Sequence, residues 1–363
     1  MNTYKIPKLP FSIDLETKAI LRQLSASHRQ LAELKGIVQS IPNEAILINT
    51  LALQEAKDSS AVENIVTTHD DLFKTELNVR DYIVSAATKE VMNYRQAILE
   101  GFRLVRKDKL LTNNIIKQIQ STLVGNKEGF RTLPGTELKN QAGETVYIPP
   151  QDGNDVARYM SELEAFINTP ELCDWDPLIK LAVIHHQFES IHPFYDGNGR
   201  TGRIISILLL VTNDLLNLPI LYLSRYITHN KGEYYRLLQA IRDREDKATD
   251  WQNWVMFLLK GIEDTSRNTI TMVNAIRKLM QDFKFTLRPL LRKQYKHDLL
   301  NHLFSQPYTK IEFMEKAMQI QRKTAAKYLD LIVDEGLLEK LKIGRSNYYI
   351  NQKLVDVLMN PEK

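Results

Sequence analysis

The sequence predicts a mainly α-helical protein, and three observations predict it. Apolar residues recur at three- and four-residue steps through most of the 363 residues, 43% of them are apolar and 25% charged, and β-prone stretches are short and confined to two places. A soluble chain of this length holds two or three cores, and it divides into an N-terminal helical region (1–105), a central core (106–285) and a small C-terminal domain (290–363). The single Cys173 excludes an internal disulfide, and the opening MNTYKIPKLP has no apolar signal-like run, so a reducing, cytoplasmic setting is expected.

The first helix is expected over 14–38, where Ile20, Leu21, Leu24, Leu31, Leu34 and Val38 form an apolar stripe. Pro42 breaks it, and Asn43 is placed to cap a second helix over 44–57. A short helix then starts on the polar residues of 58–66, and Asn78 is a weak cap signal for a helix over 79–106. Between 125 and 150 the pattern changes: Gly125, Gly129, Gly135 and Gly143 surround the β-prone Thr145, Val146, Tyr147 and Ile148, which predicts a hairpin turning at Gln141-Ala142-Gly143.

Residues 176–189 read as a helix that ends near Pro193, with His185 and His186 as packed or hydrogen-bonded core histidines. The apolar run between Arg203 and Asp214 is too short to span a bilayer and is expected to be a buried helix. Gly232-Glu233-Tyr234-Tyr235 opens another amphipathic helix, in which adjacent tyrosines point to different faces and at most one is expected to be core.

From Arg288 onward 14 Lys and Arg face 9 Asp and Glu, so the net charge of +4 resides in the C-terminal part. There, helices over 296–304, 311–318 and 322–335, closed by Gly336, precede two β-prone pieces (337–343 and 347–350) around Gly344-Arg345. That order predicts a winged helix-turn-helix. The third helix carries Lys323 and Lys327 beside Asp330 and Asp334, a mixture that suits a protein or dimer surface at least as well as DNA.

The densest chemistry lies in HPFYDGNGRTGR, residues 192–203. Gly197 and Gly199 permit close backbone approach and left-handed conformations, so successive N–H groups can converge on an anion ahead of the following helix. Arg200 and Arg203 are forked donors suited to phosphate, Asp196 suits a divalent cation, and His192 is the group in the run whose ordinary pKa suits proton abstraction near neutrality. His185, Glu189 and His192 have spacings that could share a helix face around a metal, but the break at Pro193 and the lack of an HExxH pattern argue against a transition-metal site.

This run resembles the Fic motif, HxFx[DE]GNGRxxR, at every specified position. The resemblance implies a helical bundle with a β-hairpin flap, and transfer of AMP from ATP to a protein hydroxyl. It implies His192 as general base and Asp196 as Mg²⁺ ligand. Gly197, Asn198, Gly199, Arg200, Thr201, Gly202 and Arg203 would cradle the nucleotide, Phe194 would be a core anchor, and Tyr234 and Tyr235 would lie beside the adenine. Thr145, Val146 and Tyr147 would be the flap that aligns a target segment.

Ser59, Glu63 and Asn64 are similar to the inhibitory pattern [ST]xxxE[GN] of the same family, implying that Glu63 competes with the ATP γ-phosphate for Arg203. The implied protein is an auto-inhibited adenylyltransferase with protein substrates, including itself, and it is compatible with a homodimer and with no membrane role. Two other functions stand beside it: an enzyme of opposite direction that uses the same residues to remove AMP, and a DNA-binding regulator, contacting DNA through Lys323, Lys327 and Arg345, whose loop senses nucleotide.

Overall fold

The computed structural model describes residues 4–76, 83–140, 142–243, 247–343 and 346–359. The first helix, α1 (Lys18–Val38), is capped by Thr17 and buries Ile20, Leu24, Leu31, Leu34 and Val38, whereas Leu21 is exposed. Asn43 caps α2 (Glu44–Val62) as expected, but the helix does not stop at 57. Ser59 and Ser60 are fully buried interior residues, so the separate short helix expected over 58–66 is instead the last turn of α2.

After α3 (His69–Glu76) comes α4 (Ala86–Asp108), which is capped by Ser85 and runs across the boundary expected at 105. Asn78, the expected cap, lies outside the described residues. The next helix, α5 (Asn113–Val124), ends on Gly125 in the left-handed region. The antiparallel hairpin of β1 (Leu138–Lys139) and β2 (Thr145–Tyr147) lies where the glycine-rich pattern placed it; Gln141 of its turn is outside the described residues.

Beyond α6 (Gly153–Asn168) lie α7 (Pro177–Ile191) and α8 (Asn198–Thr212), which are buried on all sides and form the centre of the molecule. A helix apolar all round is stable only when other helices surround it. Here α4, α5, α6 and α11 do so, after α9 (Leu223–His229) and α10 (Lys231–Asp243). The helix α11 (Ala248–Leu291), 44 residues long, packs on α1, α7, α9 and α10, then continues through the boundary expected at 285–290 into the C-terminal part. Among the described residues no helix is long and apolar enough to cross a membrane.

The C-terminal part runs α12 (His297–Ser305), β3 (Tyr308–Lys310), α13 (Ile311–Met318), α14 (Arg322–Asp334), β4 (Glu339–Ile343), β5 (Ser346–Ile350) and α15 (Gln352–Met359). The strands form an antiparallel sheet in the order β3-β5-β4. Three helices and a hairpin follow the expected order, although β3 and α15 were not predicted and Gly344 and Arg345 lie outside the described residues. Asp330 does not project as a free charge from α14: its carboxylate accepts hydrogen bonds from Lys340 (2.7 Å) and Tyr349 (3.0 Å), tying the helix to the sheet. This part rests on the rest of the chain through α12 on α2 and α15 on α11.

Candidate active site

The connection between α7 and α8 is held by its own polar groups. His192 ends α7 in a left-handed conformation (φ 48°), and its N–H bonds the Phe188 carbonyl at 2.9 Å. The Asn198 amide donates to the Phe194 carbonyl while its oxygen accepts the Phe194 N–H, both at 2.8 Å, closing the loop on itself. Phe194 is fully buried beside Phe130 and Phe188, as an anchor should be. Gly197 (φ 80°) precedes α8 with no side-chain cap, and a Cβ there would meet Val124 at 2.9 Å. The first bond of α8 runs from the Thr201 N–H to the Gly197 carbonyl, so the N–H groups of residues 198–200 form the open, partially positive end of a buried helix.

A carboxylate already stands at that end. Glu63 follows the last turn of α2, and its Oε1 accepts a hydrogen bond from Arg203 Nη2 at 2.9 Å. The same guanidinium donates from Nε to the Ser59 hydroxyl (2.7 Å) and from Nη2 to the Ser59 carbonyl (2.9 Å). Arg203 is 2% exposed, so these acceptors, one of them a terminal helix carbonyl, replace its water shell. Burial alone would push the Glu63 carboxyl up, but Arg203, helped by Arg200 and Lys231, holds it below the usual range. A Cβ on Gly199 would overlap Glu63 Oε1, so the glycine also makes room for this carboxylate. Asn64, in a left-handed conformation, accepts from Lys231 at 2.9 Å and fixes the chain just beyond.

The remaining expected residues divide sharply. The Asp196 side chain is 64% exposed, with Oδ1 accepting the Gly197 N–H at 2.6 Å. One outward carboxylate beside the open end of a helix fits the kind of donor set that Mg²⁺ takes. Arg200, expected to hold phosphate, is buried and turned to Glu90 (2.8 Å) and Asp196 (3.4 Å). The Asn198 side chain is likewise spent on the loop, leaving its backbone as what it offers an anion. Thr201 is buried, and a Cβ on Gly202 would meet Glu189 Oε1 at 2.6 Å, so position 202 leaves no room for a side chain. Tyr234 is also core: its hydroxyl bonds His185 at 2.8 Å, and only Tyr235 presents an open face. His185 and His186 are buried and hydrogen-bonded, as expected.

In the hairpin, Tyr147 is buried and donates to the Ser190 carbonyl (2.9 Å), with the Arg242 guanidinium 4.1 Å over its ring. Thr145 bonds Glu137, and Val146 is exposed, its carbonyl accepting from Gln239 at 2.9 Å. The hairpin is thus anchored two residues before His192 rather than hanging freely.

Two arginines near His192 escaped the sequence reading, which considered Glu189 only as a metal ligand. Arg131 is 1% exposed and donates to the carbonyls of His192 (Nε, 2.8 Å) and Ile191 (Nη2, 3.2 Å), while its own N–H bonds the Pro193 carbonyl at 2.8 Å. Tyr195 ties the same segment back, its hydroxyl accepting the N–H groups of Thr132 and Leu133. Arg242 donates to Ser190 Oγ at 3.2 Å. Burial, then Arg242 and Arg131, push the His192 imidazole down to about 4, so it is neutral at ordinary pH. Burial pushes Glu189 the other way, up to about 7. No motif announced these residues, because their role exists only once Arg131 folds back across the end of α7.

Three family models match the chain in succession: "Fic/DOC family N-terminal" over residues 21–103, "Fic/DOC family" over 110–210, and "Protein adenylyltransferase SoFic-like, C-terminal domain" over 279–354. The chain is 24% identical over 226 residues to protein adenylyltransferase Fic of Aedes aegypti, covering 53% of this chain and 44% of that protein. With its Drosophila melanogaster counterpart it shares 30% over 126 residues, 33% of this chain and 25% of that protein. The chain therefore spans less than half the length of these relatives. Among solved structures it resembles a Fic family protein from Desulfovibrio desulfuricans G20, with a TM-score of 0.56, 19% identity, and 94% and 97% of the two chains covered. A Fic domain containing signalling protein from Bacteroides thetaiotaomicron VPI-5482 gives a TM-score of 0.52 at 17% identity, covering 68% and 97%.

Proposed function

For this chain, which belongs to the Fic/DOC family, we propose a protein adenylyltransferase activity that is held off by its own Glu63. The observation that carries the reading is the buried Arg203 guanidinium, paired with Glu63 at the open end of α8. An anion site that is already filled by an internal carboxylate is an inhibited anion site.

ATP is the substrate that suits the cradle. Its phosphates would meet the N–H groups at the start of α8, and Arg203 would take the terminal phosphate once Glu63 leaves. Asp196 would hold Mg²⁺, which when bound offsets the phosphate charge; Arg200 braces that carboxylate from below. A hydroxyl of the target protein attacks the α-phosphorus, the bond to the β-phosphate oxygen breaks, pyrophosphate departs, and the hydroxyl proton passes to the neutral His192. A target segment aligned beside His192 by main-chain bonds would displace Gln239 from the Val146 carbonyl, and a protein whose own hydroxyls reach that edge would label itself.

Transfer of label from α-labelled ATP to protein, compared between wild type and Glu63→Gly, tests the reading. Transfer is expected to rise in Glu63→Gly and to vanish when His192→Ala is added. An enzyme that instead releases AMP from premodified protein, in a reaction that needs Glu63, would reverse the assigned direction.

A further inference from the structure

On the face of α2 turned away from Arg203, a cleft of about 210 Å³ opens between α2, α9 and α15. Its volume is more than ten times the roughly 10–15 Å³ that a single water needs. Gln54, Lys57 and Asp58 line it from α2 at spacings of three and four, and Arg225 and His229 line it from α9 at a spacing of four. Leu358 and Met359 close it from the end of α15. Among the described residues neither Lys57 nor Arg225 is within ion-pair distance of a carboxylate, although both act on Asp58. The Nδ1 of His229 donates to the Arg225 carbonyl at 2.8 Å, which leaves Nε2 as a third donor whenever the ring is protonated.

Burial raises the Asp58 carboxyl, while Lys57, Arg225 and His229 pull it back. One partly buried carboxylate therefore faces a lysine and an arginine, so among the described residues the lining carries one more cation than anion. A forked guanidinium from α9 and a point-like ammonium from α2 on the walls of one cleft supply the donors that a phosphate group takes.

We propose that this cleft is a second, regulatory site for a small phosphorylated ligand, and that filling it tightens the hold of Glu63 on Arg203. The link is the seam between α2 and α9. Glu55 accepts from the Ser224 hydroxyl, the Asp58 carbonyl accepts from Thr228 Oγ1 at 3.2 Å, and one residue further the Ser59 carbonyl accepts from Arg203. A dianion bridging Lys57 and Arg225 staples α2 to α9 in the arrangement that presents Ser59 and Glu63 to Arg203. A ligand that binds this arrangement better than the released one must shift the population toward it. The Gln54 amide donates to the Leu358 carbonyl, so α15 is tied into the same wall and a partner acting on the C-terminal part would act on the latch by the same route.

The regulatory half rests on the adenylyltransferase reading; the binding half does not. The full chain is titrated with inorganic phosphate at fixed ionic strength, by calorimetry, beside Arg225→Gln and Lys57→Gln. Saturable binding that each substitution weakens about tenfold, the loss of one charged hydrogen bond, supports the site. Absent binding, or binding that both variants retain in full, overturns it. Label transfer is then measured with and without phosphate. Lower transfer in wild type but unchanged transfer in Arg225→Gln and in Glu63→Gly supports the coupling, whereas equal inhibition of Glu63→Gly places the effect at the nucleotide site and overturns it. Should no variant transfer label, the activity assignment fails while the calorimetric result still decides the site.

Discussion

Arg203 Nη2 and Glu63 Oε1 meet at 2.9 Å although 140 residues separate them, and the guanidinium is 2% exposed. Breaking a buried pair from one side leaves a charge without its partner, here softened by Ser59 and by the partial exposure of Glu63. Glu63→Gly is therefore expected to lose about 1–3 kcal/mol of stability in denaturant titration. ATP with Mg²⁺ should raise its melting temperature more than that of wild type, because only the variant offers Arg203 to the terminal phosphate. Equal ATP-induced shifts in the two proteins would remove the competition from the account.

His192 yields a prediction of pH dependence with a definite sign. A base must be unprotonated, and burial with Arg242 and Arg131 lowers this imidazole to about 4. Activity of Glu63→Gly should hold level as pH falls through 6.5 and decline only near 4 to 5, within the limits of the fold. A limb centred near 6.5 would mean that the ring is solvated during turnover. His192→Ala should lower the rate by at least the ~10² to 10⁴ of general base catalysis while leaving nucleotide binding in place.

The line between what was legible and what was not runs through these residues. The motif of 192–203, the apolar stripe of α1 and the short β-prone segments are local patterns, and local patterns survive in a bare sequence. Ser59 misled because serine favours helix starts; its contact with Arg203, 144 residues away, shows why it is buried at the end of α2 instead. Adjacent tyrosines allowed at most one to be core, but the His185 hydrogen bond is needed to choose Tyr234. Arg200 and Asn198 have donor groups suited to phosphate, yet Glu90 and the Phe194 backbone claim them first. The 44-residue α11 crossed an expected boundary because its amphipathic stripe continues from one core into the next.

Arg131 should prove a positioning residue for His192. Its Nε and Nη2 bond the carbonyls of His192 and Ile191, and these groups cap the end of α7. Arg131→Lys keeps the charge but cannot form both bonds with a planar fork. Label transfer in a Glu63→Gly background should drop about tenfold to a hundredfold, with ATP affinity little changed. A loss confined to ATP affinity would argue that Arg131 serves the nucleotide instead.

Glu189 sets a separate test of stability. Its folded-state pKa, raised by burial to about 7, lies above the ordinary glutamate value, so between these values the unfolded chain releases a proton that the folded chain keeps. Its contribution is present at low pH and is lost as pH rises through about 7. Glu189→Gln should flatten the fall of the melting temperature between pH 5 and 8, since the amide fills the same space without ionising. A wild-type melting temperature that climbs over that window, unchanged in the variant, would contradict the assignment.

Gly199 and Glu63 should be energetically coupled. A Cβ at position 199 would overlap Glu63 Oε1 and lie 3.1 Å from Arg203 Nη1, so alanine cannot enter unless the carboxylate moves. Gly199→Ala alone should destabilise the protein, whereas in a Glu63→Gly chain the obstructing atom is gone and the same change should cost less. A double-mutant cycle is expected to give a coupling of about 1–3 kcal/mol between the two positions. The glycine is then required by the inhibitory carboxylate as well as by the nucleotide. Additive effects would place the need for glycine on the backbone alone, which is helical at this position and would tolerate alanine.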